Sequence, residues 1–297
     1  MIFHQAELVL DIQAELGEGP LWHALEKRLY WLDFEKKQFH CFDPDSQINL
    51  SETLDRRVAS VVPTNEKSFL LAGEGGIEEY WPEAEDWAFI VNPEVRNMSN
   101  RLNDGKASPE GRFWFGSFNM QRQANQASLY VMEHNGTVRH VLPGLTNSNG
   151  LGWSPDGATF YHIDSPTRQV SAFDYDSRIG SLRNRRVVVR FSEEPEFGNP
   201  DGMTVDAEGM LWIAHWNGAC VSRWDPETGK MVAIIPVPAT QVTSVTFGGE
   251  NLDTLYITTA RCNLTADDLA GQPYAGGIFA AIPGVKGLPA NTFRWEE

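Results

Sequence analysis

The chain has 297 residues, with 40 acidic against 24 basic side chains and a net charge of −16. That balance sets it against nucleic acid and anionic membrane surfaces, and favours a neutral small molecule or a cation as partner. No stretch approaches the roughly 20 apolar residues of a membrane span. The N-terminus lacks the basic and then apolar pattern of a signal peptide.

Cys41, Cys220 and Cys262 are odd in number and widely spaced. They suit a reducing compartment better than a disulfide framework, so the expected location is the cytoplasm. The 10 Trp and 16 Phe favour strands over helices.

Along the chain one phrase recurs: a polar lead residue, a few mostly apolar residues, a turn, then a β-like run. Glu18-Gly19 leads to Glu26-Lys27 and Leu29-Tyr30-Trp31-Leu32. Ser60-Val61 leads to Asn65-Glu66 and Ser68-Phe69-Leu70-Leu71. The stretch from Glu74 to Asn103 is the least regular, interrupted by Pro82 and Pro93. Asp104-Gly105 leads to Pro109-Glu110-Gly111 and Arg112-Phe113-Trp114-Phe115. Asn149-Gly150 leads to Pro155-Asp156-Gly157 and Thr159-Phe160-Tyr161-His162-Ile163. Asp201-Gly202 leads to Ala207-Glu208-Gly209 and Met210-Leu211-Trp212-Ile213. Ser244-Val245 leads to Gly249-Glu250-Asn251 and Leu255-Tyr256-Ile257.

Each phrase reads as a β-hairpin whose second strand is buried on both faces. The lead residues are spaced by 42, 44, 45, 52 and 43 positions, the period of a four-stranded propeller blade. Six such units predict an all-β, six-bladed β-propeller forming a single domain over residues 1–297.

Residues at one blade phase lie at one height around the central axis. Glu18, Ser60, Asp104, Asn149, Asp201 and Ser244 would therefore form a ring of oxygen-bearing side chains. Two carboxylates about 4 Å apart repel by roughly 4 kcal/mol at an effective dielectric near 20. Protonation or a bound cation must relieve several of them facing one channel. Oxygen-only donors suit a hard divalent ion such as Ca²⁺, Mg²⁺ or Mn²⁺. Any single Asp-Gly or Asn-Gly pair is more simply a turn. Here, however, the hairpin turns fall seven or eight residues later.

Five segments carry a family resemblance: Leu16-Gly17-Glu18-Gly19-Pro20-Leu21-Trp22, Arg101-Leu102-Asn103-Asp104-Gly105-Lys106, Ser148-Asn149-Gly150-Leu151, Pro200-Asp201-Gly202-Met203 and Ala275-Gly276-Gly277-Ile278-Phe279. With them the chain resembles the senescence marker protein-30 (regucalcin)/gluconolactonase family. That resemblance implies a six-bladed propeller with a central metal site, hydrolysing sugar lactones to aldonic acids. It implies Glu18, Asn149 and Asp201 as metal ligands, and Arg101 and Asn103 as substrate contacts. The family's further substrate-contacting Glu is replaced here by Gln121 or Asn119. The implied cofactor is one divalent ion, calcium first, with zinc, manganese, magnesium and iron as other candidates.

A metal with three protein ligands leaves room for water and substrate. Asp201 is then the expected general base, with Asp104 shaping its surroundings and Ser60 and Ser244 as bystanders. His162, His215, Cys220 and Cys262 are assigned to structure, Trp22 and Trp216 to the pocket mouth, and Ser108 to a surface turn. Two other readings fit the same ring: a non-catalytic calcium-binding regulatory propeller, and a metal-dependent esterase of broader range.

Overall fold

The six phrases fold as antiparallel hairpins in the computed structural model, which describes residues 5–296. Each hairpin extends outward by two more strands. The first sheet runs Gly17–His23, Arg28–Asp33, Gln38–Asp43, Ile48–Thr53. The second runs Val58–Pro63, Phe69–Gly73, Gly76–Trp81, Asp86–Val91. The third runs Asn100–Ala107, Phe113–Asn119, Ala127–Met132, Val138–Leu145. The fourth runs Ser148–Trp153, Thr159–Asp164, Gln169–Asp176, Ser181–Arg190.

The remaining strands form one eight-stranded sheet with two halves. One half is Asn199–Val205, Leu211–Trp216, Cys220–Asp225, Lys230–Pro236. The other is Gln241–Gly248, Thr254–Ala260, Ile278–Ala281, with the N-terminal strand Glu7–Leu10 pairing antiparallel on its outer side. The halves meet at a single bridge between Trp216 and Gln241. The irregular stretch after Glu74 thus holds two ordinary strands, with Pro82 and Pro93 just beyond their ends.

Burial follows the order of strands. The second strand of every unit is almost wholly buried, while outer strands such as Ile48–Thr53 are mostly exposed. Second strands have sheet neighbours on both sides and packed sheets above and below, so their sequences are nearly continuous apolar runs.

The first strands of consecutive units contact one another in turn, and the last returns to the first. Thr243 Oγ1 donates to Gly17 O at 2.6 Å across that final junction, beside a bridge between Leu16 and Ala260. The arrangement is a propeller-like ring of antiparallel sheets. Among the described residues the one α-helix, Ala266–Gly271, is a six-residue excursion between strands of the last unit.

A strap beyond Ala281 crosses one face of this ring. Gly287 bridges Asp206, Asn291 Nδ2 donates to Ala107 O at 3.1 Å, and Phe293 bridges Thr64. Phe293 is fully buried against Phe113, Phe115 and their neighbours. Phe293→Ala should cost about 3–5 kcal/mol. Thermal unfolding should register this as a clear fall in Tm, with the β-rich circular dichroism spectrum kept at low temperature.

Candidate functional site

At or beside each lead position the inner strand slips in register against its neighbour. The slips fall between Glu18 and Leu21, Val58 and Ser60, Leu102 and Gly105, Ser148 and Leu151, Pro200 and Met203, and Val242 and Ser244. A bulge frees its residues from ladder pairing and re-aims their side chains. The glycines after the lead residues let adjacent inner strands close in. A Cβ on Gly150 would lie 2.7 Å from Asp201 O, and one on Gly202 would lie 2.1 Å from Ser244 Oγ.

Two further carboxylates fix the approach to this ring. Asp33 accepts from the backbone N–H groups of Glu15 (2.9 Å) and Leu16 (3.2 Å), just before Glu18. Asp164 accepts from those of Thr146 (3.2 Å) and Asn147 (2.9 Å), just before Asn149. Both end the second strand of their sheet, at one repeat phase. Leu32-Asp33 and Ile163-Asp164 close matching runs in the sequence, so the repeat held the signal for them.

Asp201 is buried, Glu18 and Asp104 are half-buried, and the three feel one another's charge. Burial, then Asp201 and Asp104, raise the Glu18 carboxyl well above its ordinary range. Burial and then Asp104 do the same to Asp201. Burial pushes Asp104 up to about 6, against the pull of Lys106 and Arg101. Arg101 is pushed down to about 10 by burial, although the Glu18 charge opposes that shift. Its guanidinium lies 4.2 Å from the Phe34 ring centroid and 5.0 Å from that of Phe118. With both rings within cation–π range, its N–H edges remain for polar contacts. Nη1 donates to Asn103 Oδ1 (2.6 Å) and Leu102 O (3.0 Å).

Asn103 continues the network. Its Nδ2 donates to Asn149 Oδ1 (2.7 Å) and Ser148 O (2.8 Å). Asn149 Nδ2 donates to Ser165 Oγ (2.7 Å), which donates to Pro200 O (2.6 Å), next to Asp201. This chain links the third, fourth and fifth units. It turns the Asn149 carbonyl oxygen away from Ser165 and toward Asn103.

Six of the residues singled out in the sequence thus belong to one electrostatic and hydrogen-bonded assembly: Glu18, Arg101, Asn103, Asp104, Asn149 and Asp201. Gln121 stands outside it, exposed, its Oε1 accepting from Gln123 Nε2 at 3.0 Å. Asn119 is buried and occupied, donating to Asn100 Oδ1 (2.8 Å) and accepting from Gln123 N (2.9 Å). Ser60 and Ser244 line a cavity of about 270 Å³ bounded by all six inner strands and by Leu288–Asn291 of the strap. Asp104 and Lys106 line it too. Among the described residues Ser60 Oγ has no hydrogen-bond partner.

His162 and His215 are structural. Burial pushes them down to about 3 and about 4, and each bonds a buried Ser hydroxyl, Ser148 and Ser222 respectively. The three cysteines are free thiols. Two expectations need correction. Trp22 is buried and stacked on Tyr256 at 5.7 Å, because its strand position faces the packed interface rather than the mouth. Ser108 is fully buried, its hydroxyl accepting from Arg112 N at 3.0 Å to start the hairpin turn.

Residues 16–261 match the model of the SMP-30/Gluconolactonase/LRE-like region. The chain belongs to this family. A putative sugar lactone lactonase of Bacillus subtilis (strain 168) is 37% identical over 276 residues, covering 93% of this chain and 94% of that protein. Human regucalcin is 35% identical over 294 residues, covering 97% of each. Among solved structures, a calcium-binding regucalcin from Agrobacterium tumefaciens str. C58 superposes with a TM-score of 0.94 at 25% identity, covering 99% of both chains. A gluconolactonase from Xanthomonas campestris shares the fold, with a TM-score of 0.74 at 20% identity, covering 92% of this chain and 87% of that one. Relatives named in this family therefore include a putative sugar lactone lactonase as well as a calcium-binding regucalcin.

The donor set suits a hard divalent ion: the oxygens of Glu18, Asn149 and Asp201, beside carboxylates that repel one another. Among the described residues no group of three or more His, Cys, Asp or Glu side chains forms a ready-made metal cluster. The expected donor set pairs the amide of Asn149 with only two carboxylates, Glu18 and Asp201.

A carboxyl raised on folding costs stability above the ordinary carboxylate range, about pH 4, and costs nothing below it. Glu18 is such a group. Glu18→Gln should therefore raise the Tm of chelator-treated protein at about pH 8 and leave it nearly unchanged at about pH 4, as read by scanning fluorimetry.

Proposed function

We propose that the protein is a six-bladed propeller with one divalent ion on its axis, and that it hydrolyses sugar lactones to aldonic acids. The observation that carries this reading is the group of three mutually repelling, buried or half-buried carboxylates, Glu18, Asp104 and Asp201, facing an arginine held for polar contact. The similarity to a putative sugar lactone lactonase supports the substrate class.

Glu18, Asn149 and Asp201 would hold the ion, calcium first. When bound, it supplies Lewis-acid polarisation to an ester carbonyl and to a water molecule. Asp201 accepts the proton from the attacking water, for which a carboxyl raised by burial is suited. Arg101 presents N–H groups to the hydroxyls and ring oxygen of the lactone, and Asn103, whose own N–H groups go to Asn149 Oδ1 and Ser148 O, holds Arg101 in place beside the substrate. Asp104 stays behind the ligand set and adds negative charge. Gln121, exposed outside this assembly, would meet the substrate only on turning away from Gln123.

A purely calcium-binding role leaves the Phe34–Arg101–Phe118 sandwich without a purpose, since a cation beside a cation site weakens binding. A broader esterase is separated from a lactonase by its substrates.

The test is a panel of gluconolactone, arabinonolactone, xylonolactone and phenyl acetate, with each divalent ion returned to stripped protein. Turnover of at least one lactone should appear with the ion and vanish on chelation. Full turnover in stripped protein, or none on any lactone, would overturn the reading. Asp201→Asn should lower kcat by about 100-fold or more and, like Glu18→Gln, raise the Tm of chelator-treated protein at about pH 8. Gln121→Ala should raise KM and leave kcat alone. The gain in Tm on adding calcium should be larger at about pH 7.5 than at about pH 5, because protons already neutralise part of the cluster at the lower pH.

A further inference from the structure

Lys106 has no part in the reading above, yet it lies beside Asp104 and reaches the strand that carries Asp201. It sits two residues beyond Asp104 in the strand Asn100–Ala107. Its Nζ donates at 2.5 Å to the carbonyl of Met203, two residues beyond Asp201 in the strand Asn199–Val205. Those strands belong to the third and fifth units, and the inner strand Ser148–Trp153 of the fourth lies between them in the ring. The side chain therefore spans the interior rather than bonding to an adjacent strand.

Among the described residues lining the central cavity, Lys106 is the one basic side chain and Asp104 the one acidic side chain. An ammonium in such a place is costly to bury. One backbone carbonyl is a poor return for that cost, since a neutral donor would serve the same bond.

The charge is what a neutral donor would not supply. Asp104 feels two cations, Lys106 and Arg101, while Glu18 and Asp201 feel Arg101. Fully ionised, the group carries one net negative charge; without Lys106 it carries two. A divalent ion is drawn more strongly to the second arrangement. Surrounded by more negative charge, it also keeps less positive charge with which to polarise an ester.

We propose that Lys106 is a positioning residue that acts as a counter-charge, holding the site's affinity for a divalent cation below what its carboxylates alone would give and so preserving the ion's power to activate substrate. The inference rests on the reading of Glu18, Asn149 and Asp201 as a cation site. It predicts opposite effects on binding and catalysis, which a merely structural lysine does not.

The experiment is calorimetric titration of Ca²⁺ into chelator-stripped full-length protein, for wild type, Lys106→Met, Lys106→Gln and Lys106→Arg, with Tm measured alongside. Lys106→Met should bind Ca²⁺ at least about tenfold more tightly than wild type. Lys106→Gln, which keeps a donor for Met203 O and loses only the charge, should also bind more tightly. Lys106→Arg should stay near wild type. On the lactone that wild type turns over, Met and Gln should lower kcat, and Arg should restore it.

Unchanged or weaker binding in folded Lys106→Gln would overturn the counter-charge, whatever becomes of Lys106→Met. Equally tight binding in Arg and Gln would overturn it as well. If wild type itself binds no Ca²⁺, Mn²⁺ or Zn²⁺, the reading of the cation site fails first, and that outcome is distinct from the other two.

Discussion

Glu18, Asp104 and Asp201 face one another where water cannot solvate them freely, and their mutual repulsion governs the rest of the site. Left alone, such a cluster would hold protons or drive its strands apart. The chain opposes this with Arg101 between two phenylalanine rings, and with Lys106 reaching to the carbonyl of Met203. The amides of Asn103 and Asn149 add bonds that are indifferent to charge. A divalent cation completes this balance in the function proposed.

The scaffold holds the cluster because its strands cannot separate. The inner strands contact one another in a closed cycle, with Thr243 joining the last unit to the first. The strand Glu7–Leu10 finishes the last sheet, so that unit is built from strands far apart in the sequence. The strap from Ile282 onward then ties units across the opposite face. Bulges at or beside every lead position turn a regular strand into a support that aims side chains inward. Asp33 and Asp164 anchor the turns of chain that enter two of those bulges.

Much of this was legible in the sequence because it repeats. A polar residue and glycine, a turn, and a β-run recur at nearly one spacing, and the structure turns each copy into an inner strand and its buried neighbour. The residues that escaped notice do not repeat cleanly, or look alike in any role. Phe34 and Phe118 read as ordinary core aromatics, and only their stacking about Arg101 distinguishes them. Lys106 resembles a solvated surface lysine until its strand is seen to face an internal cavity. Trp22 was misassigned because a tryptophan near a glycine-rich bend fits a pocket mouth and a packed interface equally well.

By itself, the sequence determined the strand pattern, the repeat phase and the oxygen-bearing residues at that phase, because hydrophobic period and turn chemistry are local properties. Only the tertiary structure decided which of those residues share a field, which are neutralised and by what. Arg101 meets Glu18, and Lys106 meets Met203, across separations of 83 and 97 residues. Charge interactions depend on distance through space and on burial, and neither is written in sequence spacing.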